Sequence, residues 1–290
     1  MPFSILSIQS WVAYGHVGNA SAVFPLQRLG AEVWAVNTVQ FSNHTGYGAW
    51  RGEVFSDALI RDCVQGIAER GVLGQCDAVL SGYMGSPAIG AAIRDATVMV
   101  KAANPRALWC CDPVLGDTDR GIYVRPGIPE FLRDEALPAA DIATPTQFEL
   151  EWLTGLRITT LEDAKTALRA LAARGPRRLV LTSLRTDDTP DDAMDMLAME
   201  AGDFHRLRTP RLPLNVNGAG DAIAALFLFH TLAGASVAQA LSASGSSLHG
   251  ILAATAAAGT RELQSIAAQE EWITPSERFA AKFSLAVTSL

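Results

Sequence analysis

Short apolar or β-branched runs alternate with longer helix-patterned stretches along this chain, and that alternation restricts its fold more than any other feature. Residues 3–10 (FSILSIQS) read as a strand, 18–30 as a helix closed by Gly30 with a kink expected at Pro25, and 32–41 (EVWAVNTVQF) as a second strand. The pattern repeats as helix 57–70, strand 76–83, helix 87–103 and strand 107–114. A strand at 141–145, helices near 146–154 and 161–174, and a strand at 177–183 follow. This order predicts an α/β fold, a mostly parallel sheet covered by helices. Near-continuous apolar strands such as LVLTS fit burial on both faces. The acidic stretch 185–195 (RTDDTPDDAMD) reads as an exposed loop or hairpin connection, and the last third as helical, at 219–233, 236–257 and a final segment. With no Pro-, Gly- or Ser-rich linker and no internal repeat, residues 1–290 read as one domain.

Composition removes several classes. With 49% hydrophobic residues the chain can bury a large core, yet no window has the roughly 18 consecutive apolar residues of a membrane span. The N-terminus has no basic lead before an apolar run, so a cytoplasmic protein is expected. A net charge of −7 argues against a nucleic-acid partner. Cys63, Cys76, Cys110 and Cys111 form no C-x-x-C pair and read as buried, reduced thiols. H-E-x-x-H and G-x-S-x-G are both absent.

Polar residues gather where the strands end. Ser10, Asp112, Thr144, Thr182 and Ser183 each follow an apolar run. Any one of them serves as a cap or turn residue. Together they predict a single crevice, because ligands of open parallel sheets bind at strand carboxyl ends. Near the C-terminal third, NVNGAGDAIAALFLFH places Gly218, Ala219, Gly220 and Asp221 at the start of an apolar helix. Such a turn is an ordinary helix start. It is also a concavity of backbone N–H groups at a positive helix end, able to hold an anion beside a carboxylate that takes a proton. Phosphoryl transfer needs that combination of positioning and charge stabilisation. A Walker A loop is excluded by the lack of any Gly-Lys pair, and GYGAWRG misses the dinucleotide-binding spacing by one residue.

The run NGAGDAIAALF resembles the anion-hole motif of the ribokinase superfamily. FSILSIQSWVAYGHVGNASAVFPLQRLG with NTVQFSNHTGYG is similar to its pyridoxal kinases, and LSGYMGS, CDPVLGD, DIATPTQFELEWLTG, VLTS and RELQSIAAQEEW continue the match in order. The resemblance spans nearly the whole chain. It implies a ribokinase-like, three-layer αβα fold and ATP-dependent phosphorylation of the 5′-hydroxymethyl group of pyridoxal, often also of pyridoxine and pyridoxamine. It further implies Mg²⁺, in some members a monovalent cation (K⁺ or Na⁺), and a homodimer. By the same resemblance Asp221 is the catalytic base, and Gly218, Ala219 and Gly220 supply the donors for the transferring group. Ser10 and Thr45 contact the pyridine ring, with Val17 and Gly18 approaching it. Phe41, His44 and Tyr83 either wall the ring or simply pack. Asp112 and Glu149 lie near the ATP phosphates and act on Mg²⁺ mainly through water, as a hard cation that keeps its shell requires. Asp117, Thr144 and Thr182 match oxygen ligands of the monovalent cation, and Thr144, Thr146, Thr182 and Ser183 fall on the ATP side. Residues 117–127 read as a lid.

Three departures stand out. Thr146 occupies the place of an asparagine expected near the phosphates, which predicts weaker metal or ATP affinity. Trp11 stands where a histidine is common, and VLTS lacks the lysine of one bacterial subgroup. Arg211 is expected on the surface, with nucleotide contact as the alternative. Two rival functions remain from the sequence: a related kinase acting on another alcohol such as hydroxymethylpyrimidine, and a catalytically weak protein that binds pyridoxal phosphate or nucleotide.

Overall fold

The computed structural model describes residues 2–284. In chain order the first half contains β1 (Ser4–Val12), α1 (Asn19–Arg28), β2 (Glu32–Phe41), β3 (Gly52–Val54), α2 (Asp57–Glu69), β4 (Cys76–Ser81), α3 (Pro87–Ala103) and β5 (Leu108–Cys111). A small hairpin of β6 (Gly116–Asp117) and β7 (Gly121–Ile122) leads into α4 (Ile128–Phe131) and α5 (Leu137–Ala139). Then come β8 (Ile142–Ala143), α6 (Gln147–Thr154), α7 (Leu161–Ala172), β9 (Arg178–Leu184), β10 (Ala193–Glu200) and β11 (Asp203–Pro210). The last elements are α8 (Ala219–Leu232), α9 (Val237–Ala258) and β12 (Lys282–Phe283).

The main sheet has the order β12-β11-β10-β9-β8-β5-β4-β1-β2-β3. Its six inner strands, from β9 to β2, are parallel, and the added edge strands are antiparallel. Alternate residues of each inner strand enter different cores. Ile5, Ala78, Leu80 and Cys110 pack toward α1, α8 and α9. Leu6, Ile8, Val79, Trp109 and Cys111 pack toward the opposite helices. The result is a layer of helices on each face, and both faces are dry, which is why the strands read as unbroken apolar runs. β1 pairs with β2 on one side and β4 on the other, so the chain reverses direction across the sheet at β1. That reversal opens a crevice above the strand carboxyl ends.

Local chemistry starts the helices. Ser56, Ser86, Thr160 and Ser236 each accept a hydrogen bond from the third helical residue, removing one orphan N–H per helix. α1 runs through Pro25 to Arg28. α8 is apolar on every side, and Ala222 through Leu228 are all buried, since the helix lies between α1, α9 and the sheet.

Three expectations are corrected. The last third is not wholly helical: residues 193–210 form the β10–β11 hairpin, and the final segment, expected as helix, shows in its described residues a 3-10 turn at Gln269–Trp272 and then β12 in place of an α-helix. AMDMLAME is made largely of good helix formers, and its two faces enter different cores, so period-two alternation is erased. The tight turn at Ala201 and Gly202 has φ of +52° and +89°, as a two-residue hairpin needs, but lacks the familiar Asn-Gly signal. Second, stretch 185–195 joins β9 to β10 but is not all exposed: Thr186, Thr189 and Asp195 are buried. Asp195 accepts from Thr189 Oγ1 and from Arg208, which satisfies its charge. Third, Cys63 is exposed, whereas Cys76, Cys110 and Cys111 are buried; all four are free thiols.

Candidate active site

A cavity of about 710 Å³ lies over the carboxyl ends of the parallel strands. The strand order sets its layout. β1 and β2 bring Ser10 and Phe41 to one end, β5 brings Asp112 to the middle, and β8 and β9 bring Thr144, Thr182 and Ser183 to the other. Four inter-strand steps separate β1 from β9, roughly 19 Å at the usual spacing of about 4.8 Å. Every residue expected in the site lines this cavity except Gly18.

The glycine turn stands at its floor. Gly218 has φ of +88°, and an added Cβ would lie 1.8 Å from the His16 carbonyl oxygen, so both conformation and close approach demand glycine. Ser21 Oγ donates to the Gly218 carbonyl at 2.8 Å, tying the turn to α1. At Gly220 a Cβ would project into the cavity and face Asp112 Oδ2 at 4.0 Å. Asp221 is the third residue of α8 and receives the backbone N–H of Gly18 and its own N–H. Gly18 therefore acts from behind the cavity wall. Burial raises the Asp221 carboxyl above its ordinary range, against the pull of those N–H groups. A raised carboxyl at a helix start is suited to accepting a proton.

Asp112 faces this turn. Its backbone N–H donates to the Ser81 carbonyl at 2.8 Å, and Thr144 Oγ1 donates to its Oδ1 at 2.9 Å. Burial, then the charges of Glu149 and Asp221, pushes its carboxyl well up; the Thr144 hydroxyl opposes this. Glu149 closes a capping box with Thr146 at the start of α6. Its Oε2 accepts from Thr146 N–H at 2.8 Å and Thr146 Oγ1 at 2.9 Å, and its Oε1 accepts from Leu115 N–H at 3.0 Å. Burial still raises it to about 7. Asp112 thus has the charges of both Glu149 and Asp221 against it. Among the described residues no group of three or more His, Cys, Asp or Glu is placed to hold a metal by itself. A cation here would complete its shell with phosphate oxygens and water.

At the ring end Ser10, Val17, Phe41, Thr45 and Tyr83 form a mixed polar and aromatic wall. Gly18 packs on Ser10, its Cβ position 2.3 Å from Ser10 Oγ. His44 Nδ1 accepts from Gly46 N–H at 3.1 Å, which leaves the ring proton on Nε2. Burial, helped by Arg120, lowers the pKa of His44, so the ring is neutral. The β6–β7 hairpin roofs the cavity within the expected lid region. Arg120 bonds Asp117 through its backbone N–H and its Nε, both at 2.8 Å, and lies 4.5 Å from the centre of the Tyr123 ring. Burial works against Asp117 ionising, but the Arg120 bonds outweigh it and its carboxyl titrates below the ordinary range. A monovalent cation at Asp117 would have to displace that guanidinium. Thr182 Oγ1 donates to the Pro145 carbonyl at 3.4 Å, and Ser183 holds a strained φ of +53°.

Several lining residues escaped sequence reasoning. Trp50, Glu53 and Val54 come from the β2–β3 flap, and Met196 and Leu248 from β10 and α9. Arg120 and Arg125 stand in the stretch read as a lid, but without a role. For Trp50 a signal existed, an aromatic two residues before a short strand; for Met196 none did, since its strand was itself illegible. Arg211 is exposed and does not line the cavity.

A mostly parallel sheet flanked by helices, with a glycine turn opening an apolar helix opposite buried carboxylates, is the architecture of a ribokinase-like enzyme. Residues 38–266 match the model of the phosphomethylpyrimidine kinase family. The chain is 62% identical over 283 residues to pyridoxal kinase PdxY of Granulibacter bethesdensis, covering 96% of this chain and 99% of the relative. It is 54% identical over 280 residues to pyridoxal kinase PdxY of Rubrobacter xylanophilus, covering 96% and 97%. Pyridoxal kinase from Leishmania donovani, solved with ADP and pyridoxamine, superposes with a TM-score of 0.90 at 28% identity over 97% of this chain and 99% of that one. The chain belongs to this kinase family, and within it to the pyridoxal kinases.

Proposed function

We propose that this chain transfers the γ-phosphoryl group of ATP to the 5′-hydroxymethyl group of pyridoxal, and also accepts pyridoxine and pyridoxamine. The observation that carries this is Asp221, raised by burial at the start of α8, between a ring-sized polar and aromatic wall and the Asp112 side of the cavity. Asp221 takes the alcohol proton as the oxygen attacks. The N–H groups of the Gly218–Gly220 turn and the positive end of α8 receive the charge of the transferring group. Ser10 and Thr45 orient the ring. Thr144, Thr146, Thr182 and Ser183 serve the nucleotide. Asp112 and, through water, Glu149 would hold Mg²⁺ on the nucleotide, which would supply charge neutralisation there. A monovalent cation and a homodimer rest on the family resemblance alone.

The deciding experiment is a steady-state assay with ATP and Mg²⁺ on pyridoxal, pyridoxine, pyridoxamine and hydroxymethylpyrimidine. Pyridoxal is expected to turn over. Asp221→Asn keeps the acceptor for Gly18 N–H and is expected to lower kcat by about 10²–10⁴-fold with an unchanged circular dichroism spectrum. A rate near wild type would remove Asp221 from the mechanism. Turnover of the pyrimidine alone moves the substrate to the rival kinase reading, and no turnover at all favours a binding protein.

A further inference from the structure

The segment after α9 reaches the ring end of the cavity from outside. Glu262 Oε2 accepts from the His16 backbone N–H at 3.1 Å, and its Oε1 accepts from Tyr47 OH at 2.6 Å. His16 belongs to the β1–α1 loop, beside Val17 and Gly18. Tyr47 ends the short 3-10 turn that begins at Thr45. None of Glu262, His16 and Tyr47 lines the cavity, although Val17 and Thr45 do. One carboxylate thus joins two substrate-side segments that share no strand pairing at these residues.

Its presentation is rigid. The Glu262 carbonyl accepts from Thr260 Oγ1 at 2.8 Å and Gln264 Nε2 at 3.3 Å, and the next residue, Leu263, is buried in the core. Arg261 stacks over the Tyr47 ring at 4.7 Å. The bond to Glu262, followed by burial, pushes the Tyr47 phenol up to about 12, so it stays a donor at neutral pH. Gly15 makes room: its φ is +94°, and a Cβ there would meet Glu262 Oε2 at 2.2 Å.

We propose that Glu262 is a positioning residue for the ring substrate: by clasping the Val17 loop to the Thr45 turn, it sets the width of the ring end of the cavity. This rests on the pyridoxal kinase reading above. The clasp acts on binding more than on chemistry, because Asn19 separately anchors the start of α1. Asn19 bonds Ser7, Val36 and Asn37, and so holds Gly18 at Asp221 when the clasp is gone.

The test compares wild type with Glu262→Ala, Glu262→Gln and Tyr47→Phe. Glu262→Ala is expected to raise KM for pyridoxal about tenfold, with KM for ATP unchanged and kcat within about twofold. Tyr47→Phe, which keeps only the His16 bond, is expected to fall between, and Glu262→Gln, whose amide can accept from His16 N–H and donate to the Tyr47 hydroxyl, is expected to stay closer to wild type. Adding Tyr47→Phe to Glu262→Ala is expected to cost nothing further. Hydrogen exchange is expected to quicken in residues 14–18 and 44–48 together, with other segments unchanged. Equal rises in both KM values with exchange loosened throughout the chain, or unchanged KM and exchange, overturn the proposal. If wild type does not phosphorylate pyridoxal, the enzymatic reading falls, and the paired exchange response alone decides whether the clasp exists.

Discussion

The acidic residues of the site are held at unequal cost. Asp221 is relieved by a helix end and two N–H groups, whereas Asp112 has burial and two neighbouring charges against it and only the Thr144 hydroxyl in its favour. Glu149 has three hydrogen bonds to its oxygens and still rises to about 7 from an ordinary value of 4.5. Between those values the native state keeps a proton that the unfolded chain has released. Its stabilising contribution is therefore full below pH 4.5 and is lost as the pH rises through 7. Glu149→Gln keeps a capping acceptor and removes the titration. Its melting temperature relative to wild type is expected to climb as the pH goes from 5 to 8, read by scanning fluorimetry without nucleotide. A difference that stays level across that range would contradict burial as the origin of the shift. Of these residues, the sequence pointed to identity and neighbourhood. It could not show that Glu149's oxygens are spent on backbone donors or that Arg120 holds Asp117, because both depend on how loops fold back over strand ends.

At the scale of the element, Thr146 shows how one substitution serves two ends. The family resemblance made it a departure on the ATP side. The structure gives it a second task as the N-cap of α6, accepting from Glu149 N–H at 3.3 Å. Thr146→Ala is expected to cost about 1 kcal/mol in urea unfolding, and Thr146→Asn, a good cap, to stay near wild type. Equal losses in both variants would show that the hydroxyl matters for some reason other than the cap. Helices with such signatures were legible because capping chemistry is local. The β10–β11 hairpin was not, because a strand of Ala, Met and Leu buried on both sides carries neither β-branched composition nor alternation. The short β6–β7 hairpin is likewise set by Asp117 and Arg120 meeting across the turn, a contact with no periodic trace.

Across the whole molecule, one sheet carries both ends of the cavity, and α8 is packed against α1, α9 and β4. We therefore propose one folding unit. Urea unfolding followed by tryptophan fluorescence and by far-ultraviolet circular dichroism is expected to give coincident, single transitions. Separated midpoints would divide the chain. No helix of the described residues is long and apolar enough to cross a membrane.

The sequence by itself determined the alternation of strands and helices, the polar residues at strand ends and the glycine turn before Asp221. Each is written in short-range periodicity or in the chemistry of adjacent residues. Only the tertiary structure decided which strand ends meet, that Gly18 works on Asp221 from behind the wall, and that Glu262 reaches His16 across 246 positions. Those contacts are made between segments brought together by burial of the two apolar cores, and no local pattern encodes them.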